Sequence, residues 1–176
     1  MTVLRSIAAL FFLLSLAACG DEKAQDAPAA ARVFYDITLS EKSGGVPDED
    51  LRLRLRPVIS PELDRLLSQA AEAERRHTER VNNQEPPYLQ GDIFSSLFEG
   101  PTAYEIGTCE GKERIAKCDV LLAHEAEEPV QWTDRVLLVL DGERWLVDDI
   151  MYGGGWDFAP KGTLQQMLKS VIAQEE

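Results

Sequence analysis

The feature that most constrains the fold is a series of four strand-like segments in the second half of the chain. Each is rich in β-branched or aromatic residues, and turn-forming residues separate them, at 102–108, 116–124, 130–140 and 144–151. Asp141-Gly142 is the strongest hairpin signal, because this dipeptide favours the tight turn between antiparallel strands. Residues 110–112 are expected to join the first two segments. The sequence therefore predicts a four-stranded antiparallel meander.

The first half of the chain predicts helices instead. Apolar residues recur at helical spacing within 29–39, and Ser60-Pro61 is typical of a helix start, since serine caps free N–H groups and proline suits the first turn. Residues 51–56 alternate Leu with Arg, which also fits a strand, but the acidic opening at 47–50 favours a helix. A last helix is predicted at 163–173. This order predicts an α+β fold, with N-terminal helices packed on the curved meander and a C-terminal helix.

The N-terminus has the layout of a bacterial export signal. Arg5 precedes an apolar run at 7–16, which is shorter than the roughly 20 residues of a transmembrane helix. The segment ends in Leu16-Ala17-Ala18-Cys19, which resembles the lipobox of bacterial lipoproteins. This resemblance implies cleavage before Cys19 and lipid attachment to its side chain. An ordinary secretory signal followed by an unmodified cysteine is the alternative.

Cleavage at this point divides the chain into a signal peptide at 1–18, a lipidated cysteine with a flexible tether at 19–30, and a single domain at 31–176. The tether segment is rich in charged residues, Ala and Pro and has no apolar periodicity. The chain has 18 basic and 31 acidic residues, and losing Arg5 with the signal changes the net charge from −13 to −14. We therefore expect no binding to nucleic acid or to anionic bilayer surfaces.

The resemblance to lipoproteins also implies a place in the cell, the periplasm, with the membrane as a partner through the lipid anchor. Gly20 follows the cysteine, where an Asp is typical of retention at the inner membrane. This favours the inner leaflet of the outer membrane over the inner membrane. Asp21 leaves the inner membrane open in bacteria that read later positions.

The cysteine count fits an exported chain. Lipidation would use Cys19, which leaves Cys109 and Cys118 as a pair at the predicted first hairpin. The oxidising periplasm allows such a pair to persist as a disulfide, and two separate thiols in adjacent strands are the alternative. No CxxC motif or His-Cys spacing indicates zinc, so we expect no metal and no cofactor.

Three segments resemble an uncharacterised group of proteobacterial envelope proteins. They are PPYLQGDIFSSLFEG at 86–100, DGERW at 141–145 and VDDIMYGGGWDF at 147–158. The group consists of domains of unknown function. The resemblance implies a cystatin-like cone, the fold shared with nuclear transport factors, scytalone dehydratase and steroid isomerase, in which helices pack inside a curved sheet. It implies no catalytic residues, because nothing here maps onto the catalytic residues of those enzymes.

A cavity between sheet and helices is the expected binding site of such a fold. Its candidate residues are two tyrosines, two carboxylates and a tryptophan: Tyr35, Tyr104, Asp148, Asp149 and Trp156. Neighbouring residues of a regular strand face opposite ways, so either Asp148 or Asp149 should face the helices. There it could act as a general base or ligand anchor. The alternative is a structural carboxylate that caps the glycine turn at 153–155 or pairs with an arginine. Asp92 is predicted to cap a short helix.

No enzyme motif accompanies these residues. The glycines at 153–155 lack the Lys-Ser/Thr of a phosphate-binding loop, and Ser95 and Ser96 lack a nucleophile-elbow context. We therefore expect a non-enzymatic, lipid-anchored domain that binds a protein or a small envelope ligand. One alternative is a small lyase or isomerase that uses a pocket Asp with Tyr35 or Tyr104. Another is an acidic inhibitor or immunity-type protein directed against a basic hydrolase.

Overall fold

Within residues 27–41 and 44–175, which the computed structural model describes, three helices precede four antiparallel strands and a fourth helix follows them. The helices are α1 (Ala27–Ser40), α2 (Glu49–Leu55), α3 (Pro61–Arg80) and α4 (Leu164–Ile172). The strands are β1 (Ala103–Lys112), β2 (Ile115–His124), β3 (Val130–Asp141) and β4 (Arg144–Met151). They form one open, curved sheet in the order β1-β2-β3-β4. The predicted α+β fold is confirmed, whereas Cys19 and the signal segment lie outside the described residues.

Side-chain caps explain where three helices begin. The carboxylate of Asp48 accepts a hydrogen bond from the Leu51 N–H at 2.9 Å, and the Ser60 hydroxyl accepts one from Leu63 at 3.0 Å. Thr163 and Gln166 form a reciprocal capping box at α4. The alternating Leu and Arg residues of 51–55 are therefore helical, as the acidic opening predicted. Helix α1 begins at Ala27, two residues before the predicted start.

The core lies between the concave face of the sheet and the helices. Alternate residues of β2 and β3 face it, as the pleat requires, and they are buried: Ala116, Cys118, Val120, Leu122, Trp132, Asp134, Val136, Leu138 and Leu140. Helix α1 packs across all four strands, while α3 packs against α4 and both contact β4. One member of this otherwise apolar face, Asp134, has an acidic side chain.

The first hairpin is longer than predicted. Lys112 pairs with Ile115, so the turn consists of Glu113 and Arg114, and residues 110–112 belong to β1. The wrong prediction came from reading Gly111 as a turn residue. In the structure Gly111 pairs with Ala116 inside the strand. Further along the same ladder Cys109 faces Cys118, and the two form a disulfide, which confirms the predicted pair.

The segment after Asp92 is not a helix, so that prediction is wrong. Residues 91–99 form bends and a turn, and Asp92 accepts a hydrogen bond from the Phe94 N–H at 3.1 Å. Glycines with left-handed backbone stand at both ends of the segment, Gly91 with φ 69° and Gly100 with φ 73°. The Asp92 N–H also donates to the Phe98 carbonyl at 2.8 Å. These local bonds replace the helical pattern with a closed loop.

Candidate ligand-binding cavity

A cavity of about 470 Å³ lies between the C-terminal end of α1, the loop at 91–102 and the end of β2. Its volume is within the usual range for small-molecule sites, about 300–1,000 Å³. Apolar and polar side chains share its lining, chiefly Leu39, Phe94, Phe98, Pro101, Tyr35, Thr38, Asp92, His124, Glu41 and Glu99. The mixture suits a ligand with an apolar body and a polar group.

Close backbone contacts shape the loop that forms one wall of the cavity. The Gly45 N–H donates to the Gly91 carbonyl at 2.6 Å and so joins the loop to the segment before α2. A Cβ atom on Gly91 would lie 2.5 Å from a ring carbon of Phe98. Together with its positive φ, this makes position 91 one that only glycine fits without movement. The loop therefore holds Phe98 in place.

Tyr35 lines the cavity and has a buried hydroxyl. The residue is 1% exposed, and its ring packs edge-on against Phe34, with centroids 5.3 Å apart. The hydroxyl has no hydrogen-bond partner among the described residues. Burial raises the pKa of Tyr35 well above its usual value, and the charges of Asp134 and Asp92 act in the same direction. The phenol therefore stays neutral and keeps one proton to donate.

Asp92 also lines the cavity and has one buried carboxyl oxygen. Its Oδ1 accepts the Phe94 N–H, but its Oδ2 is buried with no partner among the described residues, although other atoms of the residue are accessible. Burial raises the pKa of this carboxyl, and hydrogen bonds from Ser95 and Phe94 oppose the rise. Unsatisfied buried polar atoms are rare in folded proteins, and here two belong to residues that line one cavity.

Three further titratable residues line the cavity: His124, Glu41 and Glu99. His124 Nδ1 is 2.6 Å from the Gly100 carbonyl, an acceptor, so Nδ1 carries a proton and donates it there. The Glu41 carboxylate forms an ion pair with Arg54, and Glu99 is exposed. No Lys or Arg is among the described residues of the lining. Among residues 27–41 and 44–175, no His, Cys, Asp and Glu cluster has the arrangement of a metal site.

A buried carboxylate network, missed by the sequence analysis, lies next to the cavity. Asp134 is 0% exposed. It accepts hydrogen bonds from the Ser96 N–H at 2.8 Å, the Gly153 N–H at 2.8 Å and Trp132 Nε1 at 3.1 Å, as well as from the Ser96 hydroxyl. The Gly154 N–H donates to the Ser96 hydroxyl at 2.9 Å. One carboxylate thus joins β3, the loop at 91–102 and the glycine turn after β4.

Of the five residues predicted to line a pocket, Tyr35 lines the cavity. Tyr104 stacks on Tyr35 with ring centroids 5.3 Å apart, but its hydroxyl donates to Asp36 at 2.6 Å. Burial and the bond to Asp36 raise the pKa of Tyr104 to about 12. Trp156 lies elsewhere, in an edge-to-face cluster with Trp132 and Phe158.

Asp148 and Asp149 attach helix α4 to the sheet. Asp149 Oδ1 accepts the Gln165 N–H at 2.9 Å, and Asp148 Oδ2 accepts the Gln165 side-chain amide at 3.2 Å. A register shift in β4 pairs Leu137 with Asp149 and Leu138 with Val147, so the strand is not regular at this point. Both carboxylates lie at the N-terminal end of a helix, where negative charge is stabilising, and neither lines the cavity.

The chain is similar to a curated protein of Escherichia coli K12, the uncharacterised lipoprotein YbjP. The two are 28% identical over 141 residues, which cover 80% of this chain and 74% of the E. coli protein. No protein-family model and no solved structure matches the chain. In the part that the structure describes, no helix is long and apolar enough to cross a membrane. These findings confirm the predicted resemblance to uncharacterised proteobacterial lipoproteins.

Proposed function

We propose that this chain is a lipid-anchored periplasmic protein that binds a small ligand in the cavity next to α1, without catalysing a reaction on it. The lipobox at Cys19 and the similarity to a lipoprotein support the anchor. Gly20 favours the inner leaflet of the outer membrane. The observation that carries the binding role is the cavity of about 470 Å³ with its mixed apolar and polar lining, to which Tyr35 and Asp92 belong, two residues that each hold a buried, unpartnered polar atom.

The energetic reasoning is that such atoms are costly without a partner. Each buried polar group that lacks a hydrogen bond costs about 1–3 kcal/mol by mutational measures. A ligand that moved the side chains of Tyr35 or Asp92 enough to hydrogen-bond these atoms would recover part of this cost, while the apolar residues Phe94 and Phe98 of the lining suit an apolar group.

The binding role is tested by native mass spectrometry of the full lipidated chain recovered from cell envelopes. We expect a bound mass on the wild-type protein, and its loss in both Tyr35→Phe and Asp92→Asn. Asp148→Asn is the matched control, because it removes a carboxylate outside the cavity, and it should keep the mass. If the same bound mass is found on all four proteins, or if no bound mass is found on any of them, binding at this cavity is contradicted.

The anchor is tested separately, by labelling cells with a fatty acid and replacing Cys19 with Ser. Label should enter the wild-type protein and be absent from the variant. Label in both proteins contradicts attachment at Cys19.

A second candidate function is a small lyase or isomerase, favoured by the contact of Asp92 and Tyr35 with the same cavity. A carboxylate base and a neutral phenol acid are a possible general acid–base pair. An enzyme would release a changed molecule. Recovery of the bound compound unchanged after incubation with the protein therefore favours binding over chemistry.

A further inference from the structure

Four side chains meet at the C-terminal end of α3 and form a clasp: His77, Arg80, Tyr88 and Glu175. Arg80 Nη2 donates to the Tyr88 hydroxyl oxygen at 3.0 Å and lies 3.1 Å from His77 Nδ1. The same nitrogen donates to the carboxylate of Glu175, which also accepts the Tyr88 hydroxyl at 2.6 Å. The ring of Tyr88 packs on that of His77, with centroids 4.1 Å apart. One nitrogen of Arg80 thus contacts all three other members.

The clasp holds the segment 84–90 against α3. Residues 84–87 and 90 are exposed, and Glu74 on α3 also binds the segment, since its carboxylate accepts the Tyr88 N–H at 3.0 Å and the Leu89 N–H at 2.8 Å. The segment leads directly into the loop at 91–102, which forms one wall of the cavity. Surface segments held by few contacts are the parts of a fold that open locally. A change in the clasp therefore affects the attachment of this segment first.

The hydrogen bonds of His77 specify a neutral ring. The Pro86 carbonyl can only accept, so Nε2, 3.0 Å away, carries a proton. The guanidinium of Arg80 can only donate, so Nδ1 accepts and holds a lone pair. A charged imidazole carries a proton on both nitrogens and has no lone pair left. Protonation of the closed clasp would therefore remove the bond from Arg80 and set two N–H donors, both of charged groups, against each other in a residue that is 4% exposed.

The other members of the clasp keep their charge state in mild acid. Hydrogen bonds from Tyr88 and Arg80 lower the pKa of Glu175, so it stays ionised. The hydrogen bond with Glu175 raises the pKa of both Arg80 and Tyr88, so the first stays charged and the second neutral. Imidazole is the side-chain type that gains its charge between about pH 5 and 8, and His77 is the member that has one.

The surrounding charges oppose opening only through Glu175. Its carboxylate interacts favourably with a charged His77 ring, but no hydrogen bond joins these two described residues, whereas Arg80 is in direct contact with the ring. The other charged side chains near these positions in the chain are bound to other groups or exposed to water: Glu74, Arg76, Glu79 and Glu85.

We propose that the clasp is an acid-sensitive switch, in which protonation of His77 displaces Arg80 and releases the segment 84–90 from α3. Displacement of Arg80 also ends its bonds to Tyr88 and Glu175, because all three contacts use the same nitrogen. Acid favours the released form, since a ring in water accepts a proton without losing a partner and the ring in the clasp does not. The switch is independent of whether the cavity holds a ligand.

Hydrogen exchange of the full chain in an uncharged detergent, followed residue by residue by NMR, tests the switch. Protection is expressed relative to an unstructured peptide at the same pH, which removes the intrinsic effect of pH on exchange. Between about pH 7.5 and pH 5.5, where imidazole titrates, we expect the protection of the Tyr88 and Leu89 N–H groups to fall about tenfold, the equivalent of losing one hydrogen bond. Val136 and Leu138 in β3 should keep theirs, which distinguishes local release from unfolding.

Two variants assign the effect to one histidine. His77→Gln keeps a donor and an acceptor but takes up no proton, so Tyr88 and Leu89 should stay protected in acid. His124→Gln is the matched control, because it removes the other histidine of the chain and should respond to acid like the wild type. Unchanged protection in the wild type, a full acid response in His77→Gln, or a lost response in His124→Gln would overturn the proposal.

The wild type alone decides the case in which His77→Gln fails to close the clasp and lacks protection even at neutral pH. The NMR shift of the His77 ring reports its protonation in the same titration. We expect the loss of protection at Tyr88 and Leu89 to follow that shift. A loss that follows a different titration would overturn the proposal.

Discussion

Replacing Asp134 should destabilise the domain more than any exposed carboxylate does. In Asp134→Ala the N–H groups of Ser96 and Trp132 and the Ser96 hydroxyl lose their acceptor, whereas the Gly153 N–H keeps the Ser96 hydroxyl as an acceptor at 3.1 Å. Ser96 and Trp132 are buried, and an unsatisfied buried donor costs about 1–3 kcal/mol. The expected loss in free energy of unfolding is therefore about 3–5 kcal/mol. Asp134→Asn keeps one acceptor and should lose about 2 kcal/mol.

Urea denaturation of the full chain, followed by tryptophan fluorescence, measures this loss. For a slope of roughly 2 kcal/mol per molar, a loss of about 2 kcal/mol lowers the midpoint by about 1 M. The control is Asp119→Asn, which breaks an exposed ion pair with Arg135 at 2.6 Å and should cost less than about 1 kcal/mol.

The order of the three variants decides whether the reasoning holds. Burying a carboxylate is itself costly, and replacing buried charge is sometimes stabilising. If Asp134→Asn raised the midpoint, the desolvation cost would exceed the value of the hydrogen bonds. If Asp134→Ala cost no more than Asp119→Asn, the network would have no structural importance. Either result refutes the reasoning.

Three further changes test the cavity and the disulfide. Tyr35→Phe removes an unpartnered buried hydroxyl and should raise the free energy of unfolding by about 1 kcal/mol in thermal denaturation, so a loss would contradict the assignment. Because burial raises the pKa of Asp92 in the folded state, the stability of the wild type relative to Asp92→Asn should fall as pH rises from the unfolded pKa, about 3.9, through the folded pKa. Urea midpoints of the two proteins across pH 3–7 measure this difference. A difference that stays constant or increases with pH would contradict the prediction. Replacing Cys109 and Cys118 together with Ser should cost about 2–3 kcal/mol, because the bond links residues nine apart, and equal midpoints would show no stabilisation.

Local signals were sufficient to locate the four helices and four strands, although the first turn and the segment after Asp92 were predicted wrongly. Ser60-Pro61 identified the start of α3 because capping depends on residues adjacent in sequence. Asp141-Gly142 identified the last hairpin for the same reason, and Gly142 has the left-handed φ of 60° that such a turn uses. The predicted first hairpin also gave the pairing of Cys109 with Cys118, although the residues of its turn were predicted wrongly.

The cavity depended on contacts that local patterns do not contain. Asp92 resembles a helix cap, and only the glycines at both ends and the bond to Phe98 make its segment a loop. Asp148 and Asp149 suggested a pocket because a regular strand was assumed, and the register shift invalidates that assumption. Asp134 did leave a signal. It is in phase with Trp132, Val136, Leu138 and Leu140, so strict alternation places a charge on the buried face.

Helix α1 sets the distance between the N-terminal attachment and the cavity. Its first residue, Ala27, lies eight residues after Cys19, and Leu39 near its other end lines the cavity. The eight-residue connection spans at most about 29 Å, and the helix adds about 20 Å at 1.5 Å per residue. A lipid on Cys19 would therefore confine the cavity to a layer roughly 50 Å deep beside its membrane. Such an anchor would limit which molecules the protein can meet, independently of what the cavity prefers to bind.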